Sequence, residues 1–314
     1  MTSKELIRLF EKGTRRYHLA GDERAGVLAG LDLEGRLYAI LDGEVLNRVN
    51  PDAFQGTSSR EGYLNPGGDG FWPAPEGSTL GYEYPVGRWR VPPGLSGARY
   101  WVTQSCADAA TIRAEMDLVN NSGIGVPAAF ERYIRVAAEA RALTMTVVEA
   151  IEYLGSRPLA ARNCLLAPWT LAQFDCGPGC ETVFPDAGPD CVWDLYDPSD
   201  SRRSRRDGLW HTKTDGGEKR YQLGLAPAVG WIEFRDPRRR LTVRRSTEPL
   251  DPGLSCVDIT DRPPQDPPAA RGIRYSIYSD PTCFMEIEAA GGSPVELKPG
   301  FVSRLTVTTR YAIG

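Results

Sequence analysis

Apolar and polar positions alternate with a period of two along most of the chain, the pattern of strands buried on one face. Ile134, Val136 and Ala138 follow it, as do Leu143, Met145 and Val147, Ile232 with Phe234, and Leu305 with Val307. Read this way, strands are expected at Leu37–Leu41, Ala98–Gln104, Thr111–Val119, Phe130–Ala138, Ala142–Ile151 and Asn163–Phe174. Six more follow at Lys219–Leu225, Trp231–Phe234, Leu241–Arg244, Ile273–Tyr278, Cys283–Glu288 and Ser303–Tyr311. The only helical pattern lies near the N-terminus, over Ser3–Lys12, with Ser3 as its expected N-cap. A dozen strands with one short helix predict an all-β fold, a large antiparallel sandwich or barrel formed as one domain over residues 1–314.

Two stretches break the rhythm. Residues 50–97 are rich in Gly, Pro and aromatic side chains, and are expected to fold over the sheet as a functional loop. Asp194–Gly217 carries Ser-Arg-Arg-Ser-Arg-Arg over 201–206, which reads as a solvated mobile loop rather than a phosphate patch. Arg238–Arg240 with Arg244 and Arg245 reads as a hairpin turn entering an edge strand, and Asp261–Ala270 as an extended connector.

Composition narrows the function classes. With 33 Gly and 25 Pro the chain has residues for many turns, and 41% hydrophobic side chains suffice for a core without disulfides. A net charge of −4 gives no field for a polyanion, so nucleic acid is not an expected partner. No run approaches the roughly 18 apolar residues of a membrane span, and residues 1–16 lack the apolar segment of a secretion signal. Together with seven cysteines, an odd number read as reduced thiols, this predicts a cytoplasmic protein without membrane attachment. Cys176 and Cys180 in CGPGC lack nearby histidines, so the pair reads as a turn with two thiols, joined at most by Cys191, and not as a metal site. No cofactor is expected, and the oligomeric state is left open.

Three clusters carry candidate chemistry. The segment from Asn65 to Gly77 presents Asp69, Trp72 and Glu76 on a stiff Gly/Pro frame. An aromatic ring beside carboxylates suits a sugar, whose C–H face stacks on the ring while its hydroxyls donate to the acids, although a loop packed on its own Trp72 is an ordinary alternative. In Leu165–Phe174, alternation puts Trp169, Leu171 and Gln173 on one face. In Cys283–Glu288, Glu286 and Glu288 share a face opposite Met285 and Ile287, where either carboxyl would be a general base if that face lines a pocket and plain surface if it does not.

The order of these pieces resembles the aldose 1-epimerase, or galactose mutarotase-like, superfamily. The resemblance runs over Arg132–Tyr311 and the early aromatic segment, and rests on RYIRV from Arg132, the run from Leu143 to Leu159, LAPWTLAQF, and MEIEAAGGSPVELKPGF. GGDGFWPAPEG is more similar to bacterial branches than to authentic galactose mutarotases. The resemblance implies a β-supersandwich binding a small carbohydrate, with Glu286 as catalytic base and Glu288 as its alternative. Where such enzymes carry His-Pro-Tyr-Phe, this chain has Ala167-Pro168-Trp169-Thr170, so an imidazole is missing. The acid would then be His211, Asp69 or Glu76, and Trp169, Gln173 and Arg132 would help bind the ligand. A phosphorylated sugar would call on Arg60, Arg88 and Arg132. A non-catalytic sugar-binding or sensing protein, and a glycoside-cleaving enzyme using paired carboxylates, are the alternatives.

Overall fold

A computed structural model describes residues 1–59, 62–82 and 91–314. Two ten-stranded antiparallel sheets pack on each other around one large apolar cluster, as the all-β supersandwich reading requires. Each of the twelve expected strands is present, with shifted ends. The first sheet runs Tyr17–Gly21, Ala25–Gly30, Arg36–Leu41, Asp69–Ala74, Ala167–Asp175, Phe284–Ala290, Tyr275–Asp280, Tyr221–Leu225 and Val192–Asp194, with Glu44–Val45 as a tenth strand paired to Arg36–Leu41. The second has Leu241–Thr247, Val302–Ile313, Ala142–Tyr153 and Gly125–Glu139 at its centre. No helix among the described residues is long and apolar enough to cross a membrane.

The helix spans Ser3–Lys12 as expected, but Thr2 caps it. The Thr2 hydroxyl accepts from the Glu5 amide while the Glu5 carboxylate accepts from the Thr2 amide at 2.7 Å, a reciprocal box that a cap at Ser3 would not allow. Leu6 and Phe10 bury against Leu28, Tyr38 and Ile40, the outward residues of the first sheet, and against Phe54 of a second short helix, Pro51–Gln55. The helices therefore cover the outer face of this sheet at its N-terminal end.

Residues 50–97 do not simply fold over the sheet. Asp69–Ala74 is one of its central strands, pairing with Ala167–Asp175 so that Trp72 lies opposite Trp169 and Pro73 opposite Pro168. Pro73 is tolerated because the outer neighbour, Arg36–Leu41, meets this strand only at Leu37–Asp69, and Pro168 because the pairing of its strand with Phe284–Ala290 begins one residue later, at Trp169. Asp194–Gly217 is likewise ordered: Arg203–Arg206 and Leu209–Lys213 form a hairpin at the edge of the second sheet, where Arg203 and Arg205 pair with Asp194 and Asp186. The strand Leu241–Thr247 is paired on both sides and is not an edge. All seven cysteines are free thiols, and burial pushes Cys176 up to about 12 and Cys180 to about 11. Arg60 and Arg88 lie outside the described residues.

Candidate functional site

Beyond the helices, the outer face of the first sheet is lined by side chains brought into two rows by register. Gln173, Glu286, Tyr278 and Gln222 stand opposite one another across four strands. The adjacent row runs Gly70, Leu171, Glu288, Ser276 and Gly224. Its terminal glycines admit large neighbours: a Cβ on Gly70 would lie 2.6 Å from the Arg36 guanidinium, and one on Gly224 2.6 Å from the Trp193 indole. Arg36 is wholly buried, bonds Glu34 and the Tyr63 hydroxyl at 2.9 and 2.6 Å, and lies 5.5 Å over the Trp72 ring.

Over these rows opens a cavity of about 470 Å³. Its described walls include the rings of Tyr63, Trp72, Trp169, Tyr196, Tyr278 and Phe284, with Glu76, Asp280, Glu286, Gln222 and Arg220 among the polar groups. Trp72 and Trp169 meet edge to face at 5.6 Å, which fixes both indoles. Glu286 is 8% exposed and reaches the cavity, whereas Glu288 is fully buried behind it. Gln173 Nε2 donates to Glu286 Oε1 at 2.5 Å. Trp169 Nε1 donates to Glu288 Oε2 at 2.9 Å, and Gln222 Nε2 donates to both Glu288 oxygens at 3.0 and 3.3 Å. Burial pushes Glu286 up to about 7, opposed by the Gln173 bond and the charge of Arg36. Glu288 is pushed well above the usual carboxylate range by burial and then by the nearby Glu286 and Glu76. The cavity therefore offers a carboxyl able to exchange a proton near neutral pH within a frame of aromatic rings.

Of the sequence-predicted site residues, Trp72, Glu76, Trp169 and Glu286 line the cavity, and Gln173 and Glu288 stand behind Glu286. Asp69 does not line it. Alternation turns Asp69 to the opposite face from Trp72, into the core between the sheets, where it accepts from Arg245 at 2.8 Å and Thr170 at 2.6 Å. Arg132 belongs to the second sheet and is also internal, forked onto Glu149 at 2.6 and 2.9 Å and bonded to the Asp69 carbonyl at 2.8 Å. The thickness of the first sheet separates both charges from the cavity. His211 sits in the edge hairpin of the second sheet, its Nδ1 3.1 Å from Glu181 Oε2, and no described cavity wall contains a histidine. Arg245, expected at an exposed turn, is 1% exposed because it neutralises Asp69.

Sequence reasoning missed Gln222, Tyr278 and Asp280, although each falls on an expected strand or at its end with the same parity as its cavity-facing neighbours. Tyr63, Tyr196 and Arg220 lie at strand ends and loops, where period-two reading has no purchase. Among the described residues no group of three or more His, Cys, Asp or Glu side chains is arranged to hold a metal.

Neither a protein-family model nor any curated protein sequence matches the chain. Solved structures do match it along nearly its whole length. A Synechocystis protein superposes with a TM-score of 0.57 at 12% identity, covering 95% of each chain. A candidate aldose 1-epimerase from Escherichia coli gives 0.56 at 12% identity over 96% of this chain and 100% of that one. A galactose mutarotase related enzyme from Lactobacillus acidophilus gives 0.53 at 12% identity over 94% and 97%. Two packed ten-stranded antiparallel sheets, matched end to end by these structures, give the chain the galactose mutarotase-like fold.

Proposed function

We propose that the cavity binds a single reducing sugar ring and that the protein interconverts its anomers, with Glu286 accepting the proton of the anomeric hydroxyl. The observation that carries this reading is the position of Glu286: a buried carboxyl, raised to about 7, that opens onto an aromatic-walled cavity of about 470 Å³. Trp72 and Trp169 supply apolar faces for C–H groups, and Gln222, Asp280 and Glu76 supply hydrogen-bonding partners for hydroxyls. Anomerisation needs little more of a protein, because ring opening requires only that a proton leave the anomeric oxygen and that one reach the ring oxygen. The likeness to structures described as aldose 1-epimerase and galactose mutarotase-like proteins agrees with this choice of chemistry.

A sugar held but not transformed is the second reading, favoured by one observation: Ala167, where mutarotases carry an imidazole, contributes no functional group. Binding is tested first by titrating free hexoses, pentoses and their glycosides against tryptophan fluorescence. Reducing sugars are expected to bind, and Tyr196→Ala, which removes one wall of the cavity, to weaken them roughly tenfold. Absence of binding by every sugar at millimolar concentration would dismiss both readings.

A further inference from the structure

Two buried carboxyl groups side by side raise a problem that the single-base reading leaves unsolved. Glu286 and Glu288 occupy alternate positions of one strand and point to the same face, close enough that a proton on Glu288 bonds Glu286. No cation lies within ion-pair distance of either among the described residues. Glu288 instead takes neutral donors, Trp169 Nε1 and Gln222 Nε2, and Glu286 takes Gln173 Nε2. The other described charges near the pair are Arg36, held by Glu34 of the turn before its strand, Asp280 from the next strand, which is bonded by the Tyr278 hydroxyl at 2.7 Å, Glu76, and Arg220 on the cavity wall. Two carboxylates in such surroundings do not both ionise. No described wall carries an imidazole to protonate the ring oxygen, which leaves that role to a carboxyl of the cavity.

We propose that Glu286 and Glu288 form a dyad holding one proton between them, and that Glu286, when it carries this proton, performs both proton transfers of anomerisation. The inference rests on the proposed sugar chemistry. Glu288 is a positioning residue: it stores the proton and passes it to Glu286. In the reacting state the Glu286 O–H donates to the ring oxygen while its carbonyl oxygen takes the proton of the anomeric hydroxyl. The bond from C1 to the ring oxygen breaks, C1=O forms, and Glu286 ends protonated on its other oxygen. Reclosure on either face of C1 reverses the transfers, so no net proton is gained or lost and no further acid is needed. The two oxygens of one carboxyl match the spacing of two oxygens attached to one carbon, which makes the exchange geometrically direct. Gln173 follows the change, because its amide can donate to an ionised Glu286 or, turned over, accept from a protonated one.

The test separates the dyad from the sugar chemistry. Carbon NMR titration of protein labelled at the glutamate carboxyls reads the proton directly, with Glu286→Gln and Glu288→Gln assigning the two signals. In the wild type, one carboxyl is expected to hold its proton through neutral pH. In Glu288→Gln the second proton step disappears, and Glu286, without the proton it shares with Glu288, should titrate higher. Should that variant not fold, Trp169→Phe removes one donor from Glu288 and should move the Glu288 titration upward. An unchanged Glu286 titration would overturn the dyad. The pH profile then tests its use: a protonated Glu286 predicts that anomerisation slows as pH rises past the titration, whereas a plain base predicts that it quickens. The quickening profile would overturn the two-transfer step. If the titrations are as expected but no sugar is anomerised, the dyad stands and the functional reading fails.

Discussion

Asp69 and Glu286 show how differently two buried carboxyls serve one molecule. Asp69 is 1% exposed and neutralised by Arg245 at 2.8 Å, with Arg132 3.7 Å away and Thr170 donating at 2.6 Å. Its negative charge is what permits the Arg245 guanidinium to lie between the sheets, while Glu149 neutralises Arg132. Asp69→Asn is therefore expected to cost about 3–5 kcal/mol in denaturant unfolding while leaving sugar affinity of the folded protein unchanged. Glu286 has neutral partners and, among the described residues, no ion pair, so its replacement removes chemistry rather than structure. Glu286→Gln should unfold at or above the wild-type temperature in a thermal melt. His211 is tied to Glu181 in the second sheet, and His211→Gln is expected to leave the anomerisation rate unaltered in a coupled assay. A tenfold loss there would require a route from that hairpin to the cavity.

Strand parity and register decide which residues meet. Arg36 reaches the base of the cavity only because Gly70 has no side chain, and Gly70→Ala would place a Cβ 2.6 Å from its guanidinium. Displacing Arg36 also unseats Trp72 above it, so this variant is expected to bind sugar several-fold more weakly and to melt lower, both read in one fluorescence melt with and without ligand. Much of this architecture was legible beforehand. The long alternating strands, the helix over Ser3–Lys12, and the shared face of Glu286 and Glu288 follow from a period of two or 3.6 carried by strongly apolar residues. Asp69–Ala74 was not legible, because Gly70 and Pro73 are poor strand formers held by tertiary pairing with Ala167–Asp175. The hairpin Tyr17–Gly21 and Ala25–Gly30 was hidden for a similar reason, its Gly and Ala residues carrying little β preference. Asp69 and Trp72 differ in parity, and that difference alone assigns them to opposite faces once the segment is known to be a strand.

For the whole molecule, the two outer regions of the first sheet divide the labour: helices bury one end against Tyr38 and Ile40, and the cavity occupies the other. The buried dyad ties stability to pH. Glu286 rises from 4.5 to about 7 on folding and Glu288 rises further, so the folded state binds protons more tightly than the unfolded one. Their contribution is complete below about 4.5, and declines as pH rises through about 7. Unfolding temperatures measured from pH 5 to pH 8 should therefore fall, and Glu288→Gln should flatten the slope; a slope unchanged by that substitution would remove the dyad as its source. The proposed function is that this cavity anomerises a sugar through Glu286. It is tested most directly by following the approach of freshly dissolved α-hexoses to anomeric equilibrium with the wild type and with Glu286→Gln, at equal sugar saturation. The account predicts acceleration by the wild type and a loss of roughly 100-fold or more in the variant, with binding retained. Equal rates for the two proteins would contradict it.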